Sequence, residues 1–395
     1  MKKQVYVIGG GASGLVAASA AARNGASVTI LEHEKKSGQK ILATGNGKCN
    51  FGNLDMRTDC YHCPEPSFVE QVLTQWSTKD TISFFSNLGI AVKERNGYLY
   101  PRSEQAAAIR EVLLMEAACQ KVKIKHNCMI ESIKQLDGKW NIQTSGWIYK
   151  GDSLILATGS PASNVPGADD SGYALIRELG HRIRKPLPAL VPLVCKGVQT
   201  AKWAGVRING EVKLLIDGEV CDSQTGELQL TDYGISGIPV FQLSGVAIRA
   251  LEEQKKPELL VDFFPELSLF DLEQMMEQRK QKCPYKSEKE QFIGLLPDKL
   301  ISMLPQEQPL QWLKHIHLTV TGSKSLQYAQ VCSGGVDVSQ IDKNTMESKL
   351  WSHLYFAGEV MDVDGICGGY NLHWAWATGH IAGACSSQES ERIRI

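Results

Sequence analysis

The stretch Val5-Tyr6-Val7-Ile8-Gly9-Gly10-Gly11-Ala12-Ser13-Gly14 limits the fold more than any other part of this chain. A short β-branched run ends in G-x-G-x-x-G, and a small-residue, alanine-rich run follows from Gly14 to Asn24, closed by Gly25. Val28–Leu31 is apolar again. The pattern predicts strand, helix, strand, with the two strands parallel. In that setting the first glycine permits a tight turn, the second lets backbone approach a pyrophosphate, and the third lets the helix pack on the strand. The phosphates then meet free N–H groups and the positive end of the helix dipole. Glu32 closes the second strand, where a carboxylate accepts hydrogen bonds from a ribose 2′-OH and repels a 2′-phosphate. The expected ligand is therefore FAD or NAD, not NADP.

The chain has 395 residues, which predicts about two or three domains. Ser67–Leu88 and Glu104–Cys119 carry apolar residues at helical spacing, and Lys121–Ile133 reads as strand. Trp140–Thr144 and Trp147–Tyr149 alternate as a hairpin does, and Ser153–Ala157 is a buried strand running into Thr158-Gly159. Lys36–Asn53 is glycine-rich and polar and predicts no regular element. From Pro186 to about Pro265 the pattern becomes short strands, with Asn209-Gly210, Asp217-Gly218 and Thr225-Gly226 read as turns. Leu269–Leu313 is helical and charged, and glycine-rich motifs and strand return from about Thr319. Leu354–Ala357 is the last buried strand and Asn371–Cys385 the last helix.

Charge and cysteine usage narrow the partners. Lys and Arg number 42 against 43 Asp and Glu, so no basic surplus points to nucleic acid. The 11 cysteines are odd in number and scattered, as reduced thiols are. Cys60-Tyr-His-Cys63 is the only C-x-x-C; no second ligand pair accompanies it, so no metal is expected. Gly9–Gly11 interrupts the N-terminal apolar run, which argues against an export signal, and no run reaches the roughly 18 apolar residues of a spanning helix. A cytoplasmic protein without a membrane partner is expected.

Two distant segments decide between FAD and NAD. Leu154-Ile-Leu-Ala157-Thr158-Gly159 is a buried strand ending in a small-residue turn, and Tyr355-Phe-Ala357-Gly358-Glu359 brings an acidic residue to the end of another. Two-segment flavoproteins use such a second strand at the ribityl chain and pyrophosphate. No second G-x-G-x-x-G exists, so no dedicated nicotinamide domain is expected.

The most specific stretches are Gly38-Gln-Lys40-Ile-Leu-Ala-Thr44-Gly45-Asn46-Gly47-Lys48-Cys49-Asn50 and Gly358-Glu359-Val-Met-Asp362-Val-Asp364-Gly365-Ile-Cys367-Gly368-Gly369-Tyr370-Asn371. With these, the chain resembles the BaiN-like, aminoacetone-oxidase-type family of bacterial NAD(P)/FAD-dependent oxidoreductases, from its first strand to its last helix. The resemblance implies an α/β fold: a Rossmann-type, two-dinucleotide-binding-like FAD domain (1–188 and 330–395). A β-rich domain on the substrate side (189–268 and 317–329) and a small helical domain (269–316) would interrupt it. It implies that Gly9, Gly11, Ala12, Ser13, Gly14 and Glu32 hold the ADP half of FAD, with the backbone of Ile130 at the adenine. Lys40, Thr44, Gly45, Gly47, Cys49 and Asn50 would form a flavin-contacting loop. Ala157, Thr158 and Gly159 would lie beside the cofactor, and Gly358, Glu359, Gly369, Tyr370, Asn371 and Leu372 would approach the ribityl chain and ring. The chain departs from the family at Cys332, where threonine is usual, and Cys367 occupies a variable place.

The reduced ring is often anionic, and Asn371 is expected to start a helix whose N–H groups face that charge. Cys49 is a single thiol, whereas disulfide-reducing flavoproteins need two, so a structural or ring-contact role is expected. Asp362, Asp364, His373 and Tyr370 are candidates for proton transfer, each also readable as a turn or capping residue. Trp374 and Trp376 read as core, and no catalytic base is assigned. The leading expectation is a reductase: NADH or NADPH reduces FAD transiently, and hydride passes to a small organic acceptor. By family analogy that acceptor includes the double bonds of steroids or bile acids. Two alternatives stay open, an oxidase of a small amine using oxygen and a flavin-binding regulatory protein with little turnover. The expected partner is a small-molecule substrate.

Overall fold

A computed structural model describes residues 2–388. It contains two compact units, one formed by the chain up to Pro186 together with the chain from Val331 on, the other by Leu187–Gln330.

The first unit is built on a five-stranded parallel sheet. Its spatial order is Leu354–Phe356, Ser153–Leu156, Gln4–Ile8, Ser27–Leu31, Lys123–Lys125. Four of these strands are buried along almost their whole length, as continuous Val, Ile and Leu runs must be when helices cover both faces. Helix Ala12–Arg23 makes the crossover between the first two strands, and helix Tyr370–Ser387 packs against it. The pair approaches closely because Gly383 lies on Ala17: a Cβ at Gly383 would stand 2.2 Å from the Ala17 carbonyl oxygen. Trp374 and Trp376 are buried in this core. Helices Pro66–Gln75 and Thr78–Asn87 follow the expected helical spacing, the second opened by a capping box between Ser77 and Asp80.

The second unit is a closed six-stranded barrel. Its order is Leu193–Lys196, Gly234–Ser236, Glu219–Leu230, Arg207–Ile216, Pro257–Asp262, Ile316–Ser323, and the last strand pairs back with the first. Alternation is clean in Ile316–Ser323, where Ile316, Leu318 and Val320 point inward. The charged helix Leu269–Lys282 belongs to this same unit.

Several local expectations need correction. Asn209-Gly210 and Thr225-Gly226 are not turns. Gly210 and Gly226 are register partners inside two long paired strands, and only Asp217-Gly218 turns the chain. A Cβ on Gly210 would stand 2.7 Å from the Asp262 carbonyl oxygen, so this glycine marks a close approach between neighbouring strands. Helix Ile238–Glu252 was not expected among the strands; proline in its first turn was the available signal. Lys36–Asn53 holds a short helix, Gln39–Ala43, a 3₁₀ turn, Thr44–Gly47, and a two-residue strand, Gly52–Asn53. Lys121–Ile133 splits into Lys123–Lys125 and the start of Ile130–Leu136, which join different sheets. Among the described residues no helix is long and apolar enough to cross a membrane.

Candidate cofactor and active site

Ile8, Leu31, Leu156 and Phe356 end neighbouring strands in register, Ile8 opposite both Leu31 and Leu156, and Leu156 opposite Phe356. Gly9, Glu32, Ala157 and Ala357 therefore leave the sheet side by side. The ladder runs one step further: Gly9 N–H donates to Leu31 O (2.9 Å), Ala157 N–H to Ile8 O (2.9 Å) and Ala357 N–H to Leu156 O (3.0 Å). Ligands of open α/β sheets sit beyond this edge, where the strand order reverses. Here the reversal falls between Gln4–Ile8 and Ser153–Leu156.

The glycine turn divides into crowded and open positions. A Cβ on Gly14 would lie 1.9 Å from the Gly9 carbonyl oxygen, and one on Gly9 (φ 98°) 2.4 Å from the Ala157 carbonyl oxygen. A Cβ on Gly11 would meet nothing within 4 Å, and the same holds at Gly159. No side chain caps helix Ala12–Arg23, so its first N–H groups are available to an anion in the space at Gly11. Glu32 accepts Gly10 N–H at Oε2 (2.6 Å) and Glu34 N–H at Oε1 (2.8 Å). A carboxylate offers about four acceptor positions, so it can still receive a ribose hydroxyl. Cys128 N–H donates to Glu32 O (2.9 Å) and Asn127 N–H to Glu34 O (3.2 Å), tethering the run that leads to Ile130 beside Glu32.

Gly38 N–H donates to Gly10 O (2.8 Å) and anchors Gln39 and Lys40 at the turn. Gln39 Nε2 and Thr158 Oγ1 are buried and have no partner. Thr158 adjoins Gly9, whose added Cβ would come within 3.2 Å of Thr158 Cα. Leaving such groups unpaired costs about 1–3 kcal/mol each. The open space at Gly11 and Gly159, beside the uncapped start of helix Ala12–Arg23, is what fits the pyrophosphate of a dinucleotide cofactor.

The C-terminal segment docks on the same turn. Ser13 Oγ donates to Ala357 O (3.2 Å), Gly358 N–H donates to Thr378 Oγ1 (2.9 Å), and a Cβ on Gly358 (φ 79°) would strike Ser13 Oγ at 2.4 Å. Glu359 forms an ion pair with Lys40 (2.7 Å), and its other oxygen accepts Ser160 O–H (2.7 Å) and Cys332 N–H (3.3 Å). One carboxylate thus ties together four chain segments. Glu359→Ala should lower unfolding stability by about 2 kcal/mol, because it strips a charged hydrogen-bonding partner from Lys40, Ser160 and Cys332. Denaturant melts of the two proteins would check this. Burial first, and Glu359 second, push the Cys332 thiol up to about 12, with Ser160 opposing.

The expected flavin loop exposes Gly45, Asn46, Gly47 and Lys48 and buries Cys49 completely. Burial pushes the Cys49 thiol up to about 12 against a hydrogen bond with Thr44, so it is protonated at neutral pH and a poor nucleophile. None of the 11 cysteines forms a disulfide, Cys60 and Cys63 included. Among the described residues no three ligating side chains gather as a metal site. The Asn50 amide, oriented as its neighbours require, donates to Gly52 O (2.8 Å) and Leu99 O (3.2 Å). Gly369 (φ 93°) sits against Gly52, where a Cβ would lie 2.6 Å from the carbonyl oxygen. The loop and the start of the last helix therefore touch. Tyr98 packs there too, since a Cβ on Gly368 would stand 2.9 Å from its ring.

The last helix starts at Tyr370, not Asn371, and Asn371 does not cap it. Instead the Asn371 amide grips Gly365, accepting its N–H (2.8 Å) and donating to its C=O (2.7 Å). The first N–H groups of this 18-residue helix have no side-chain cap. Leu372 is half-buried beside them, and Tyr370 O–H donates to Asp55 O (2.9 Å). His373 is a core residue: its ring bonds Thr81 (3.1 Å) and Trp76 O (3.2 Å), and burial pushes its pKa down to about 4. Asp362 is buried beside Arg184 (3.5 Å). Asp364 pairs with His62 (3.0 Å), a partner that sequence reasoning passed over.

Comparison with known proteins places this architecture. A family model described as HI0933-like protein Rossmann domain matches residues 3–385. A 3-dehydro-bile acid Δ(4,6)-reductase of Clostridium scindens is 43% identical, covering 98% of this chain and 99% of that protein. A ribosomal RNA dihydrouridine synthase of Haemophilus influenzae is 30% identical over 97% of this chain and 98% of that protein. The crystal structure of a 3-ketosteroid Δ1-dehydrogenase from Sterolibacterium denitrificans shares the fold, with a TM-score of 0.53 at 12% identity, covering 98% and 99% of the two chains. The family match runs from the first strand into the last helix, and the chain belongs to the HI0933-like family, the BaiN-like FAD-dependent oxidoreductases that its motifs resemble.

Proposed function

We propose that this protein is an FAD-dependent reductase that saturates a carbon–carbon double bond conjugated to a carbonyl in a steroid-like small molecule, with NADH or NADPH as electron donor. The observation that carries this reading is the end-to-end relation, at 43% identity, to a protein named as a reductase of 3-dehydro-bile acids. The turn at Gly9–Gly14 and the N–H groups that follow it would hold the pyrophosphate, with Ala157–Gly159 and Gly358 beside the ribityl chain. Glu32 would take the adenosine ribose, and the Ile130 backbone the adenine. The uncapped start of the last helix would face the ring and favour negative charge there. When bound, FAD supplies the hydride chemistry, while the protein supplies position and electrostatics.

A second reading rests on the Haemophilus influenzae relative. Uracil also carries a double bond conjugated to a carbonyl, so reducing it in RNA asks for the same chemistry on a larger substrate. The balanced charge of this chain favours the small molecule.

An oxygen-free titration of the purified yellow protein with NADH and then NADPH tests the donor. Rapid loss of the oxidised flavin absorbance is expected with one or both. A flavin that stays oxidised with both would sink the nicotinamide-driven reductase and favour an amine donor.

A further inference from the structure

We propose that His62, oriented by Asp364, is the catalytic acid that delivers the substrate proton; the proposal rests on the reductase reading above. Tyr61–His62 and Asp364–Gly365 form a short antiparallel ladder in which His62 is the partner of Asp364 and Tyr61 of Gly365. Ile366 N–H donates to Cys60 O (3.0 Å) and extends it. The ladder holds His62 Nδ1 3.0 Å from Asp364 Oδ2. Asp364 is 2% exposed, and its second oxygen, Oδ1, is buried without a partner. The His62 side chain is 38% exposed. A buried carboxylate thus fixes a ring that reaches the surface, the arrangement that sets a tautomer and supports the imidazolium.

Two features argue against a mere staple between strands. The ladder and the Ile366 bond already join them. A carboxylate oxygen buried without a donor is also costly, so the pair is not what stability alone would select. The position is right as well. Asn371 grips Gly365 by both its N–H and its C=O, so the dyad is fastened to the first turn of the helix assigned to the ring. The titratable groups packed around the ladder are Tyr61, Tyr370, Cys60, Cys63 and the carboxylates Asp362 and Asp364. Burial raises both phenols and the Cys63 thiol, which leaves them poor acids near neutral pH. Histidine is the side chain whose ordinary range lies there.

The step balances as follows. The conjugated π bond breaks, and a C–H bond forms at each of its carbons. Bound reduced FAD would supply the hydride, both electrons included, to the carbon β to the carbonyl and would be oxidised in turn. The proton reaches the α carbon from the His62 imidazolium, which becomes neutral and is recharged from water.

Wild-type, His62→Gln and Asp364→Asn holoenzymes, photoreduced without oxygen, would be mixed rapidly with androstenedione. Flavin reoxidation should slow about 100-fold in His62→Gln and about 10-fold in Asp364→Asn. Reduction by NADH or NADPH and reoxidation by oxygen should not change. In the resting oxidised protein, the His62 ring proton followed by NMR should titrate at lower pH in Asp364→Asn, because the neighbouring negative charge is gone. That readout does not depend on turnover. Should His62→Gln lose its flavin, Asp364→Asn, which keeps the shape, carries the same test. Variants that reoxidise as fast as a responsive wild type would overturn the dyad and leave the reductase reading standing. A reduced wild type that androstenedione does not reoxidise would overturn both.

Discussion

Gly14→Ala is expected to yield a protein without flavin and with clearly lower thermal stability. Its Cβ would lie 1.9 Å from the Gly9 carbonyl oxygen; the backbone fixes the Cβ and the oxygen is itself backbone, so no side-chain rotation relieves the overlap. Helix Ala12–Arg23 would have to move off the first strand, and its N–H groups would lose their aim at the phosphates. Overpacking of this kind costs roughly 1–3 kcal/mol or more. Gly11→Ala separates packing from binding. Its Cβ meets no protein atom within 4 Å, so the melting temperature of the flavin-free protein should be preserved while the flavin is lost. Flavin absorbance per protein, with thermal melts of both variants, checks the pair. A Gly11→Ala protein as yellow as the wild type would show that the pyrophosphate does not pass this glycine.

Acid should destabilise the fold well before its carboxylates are neutralised. Burial pushes His373 and His181 down to about 4 from 6.5. Each is neutral by construction. Ser348 Oγ accepts the N–H groups of Leu350 and Trp351 (3.0 Å each), so its own proton goes to His181 Nε2 (2.8 Å). Thr81 Oγ1 accepts the Trp76 indole N–H (2.7 Å) and turns its proton to His373 Nδ1 (3.1 Å), while His373 Nε2–H donates to Trp76 O. Unfolded chains bind the protons first as pH falls through about 6.5. Stability is therefore complete above that pH and is lost progressively toward about pH 4, on the order of 3 kcal/mol for each histidine. Denaturant melts at about pH 7 and about pH 5 should differ strongly in the wild type. They should differ less in His181→Gln and in His373→Gln. An unchanged difference in both variants would locate the acid sensitivity elsewhere.

The parts of the site written in contiguous residues could be read from sequence. Val5–Gly14, Val28–Glu32, Leu154–Gly159 and Leu354–Glu359 each encode a buried strand running into its terminal residues, and strand burial alone brings the four ends together. Contacts between remote short elements could not be read. His62 meets Asp364 across a two-residue ladder, too short to leave a periodic signal. Asn371 read as the start of the last helix because its residue type favours helix N-termini, yet the helix starts at Tyr370 and the Asn371 amide is spent on Gly365. Gly210 and Gly226 looked like turns because glycine is common in both settings, and only the neighbouring strand reveals why they lie inside strands.

The most direct test of the central claim is the fate of the double bond. The reduced holoenzyme would be incubated without oxygen with NADH or NADPH and a steroid enone such as androstenedione, and in parallel with uridine-containing ribosomal RNA, and the products weighed by mass spectrometry. The account predicts a steroid heavier by two hydrogens and unaltered RNA. An unchanged steroid beside RNA that has gained dihydrouridine, or no reduced product from either, would contradict it.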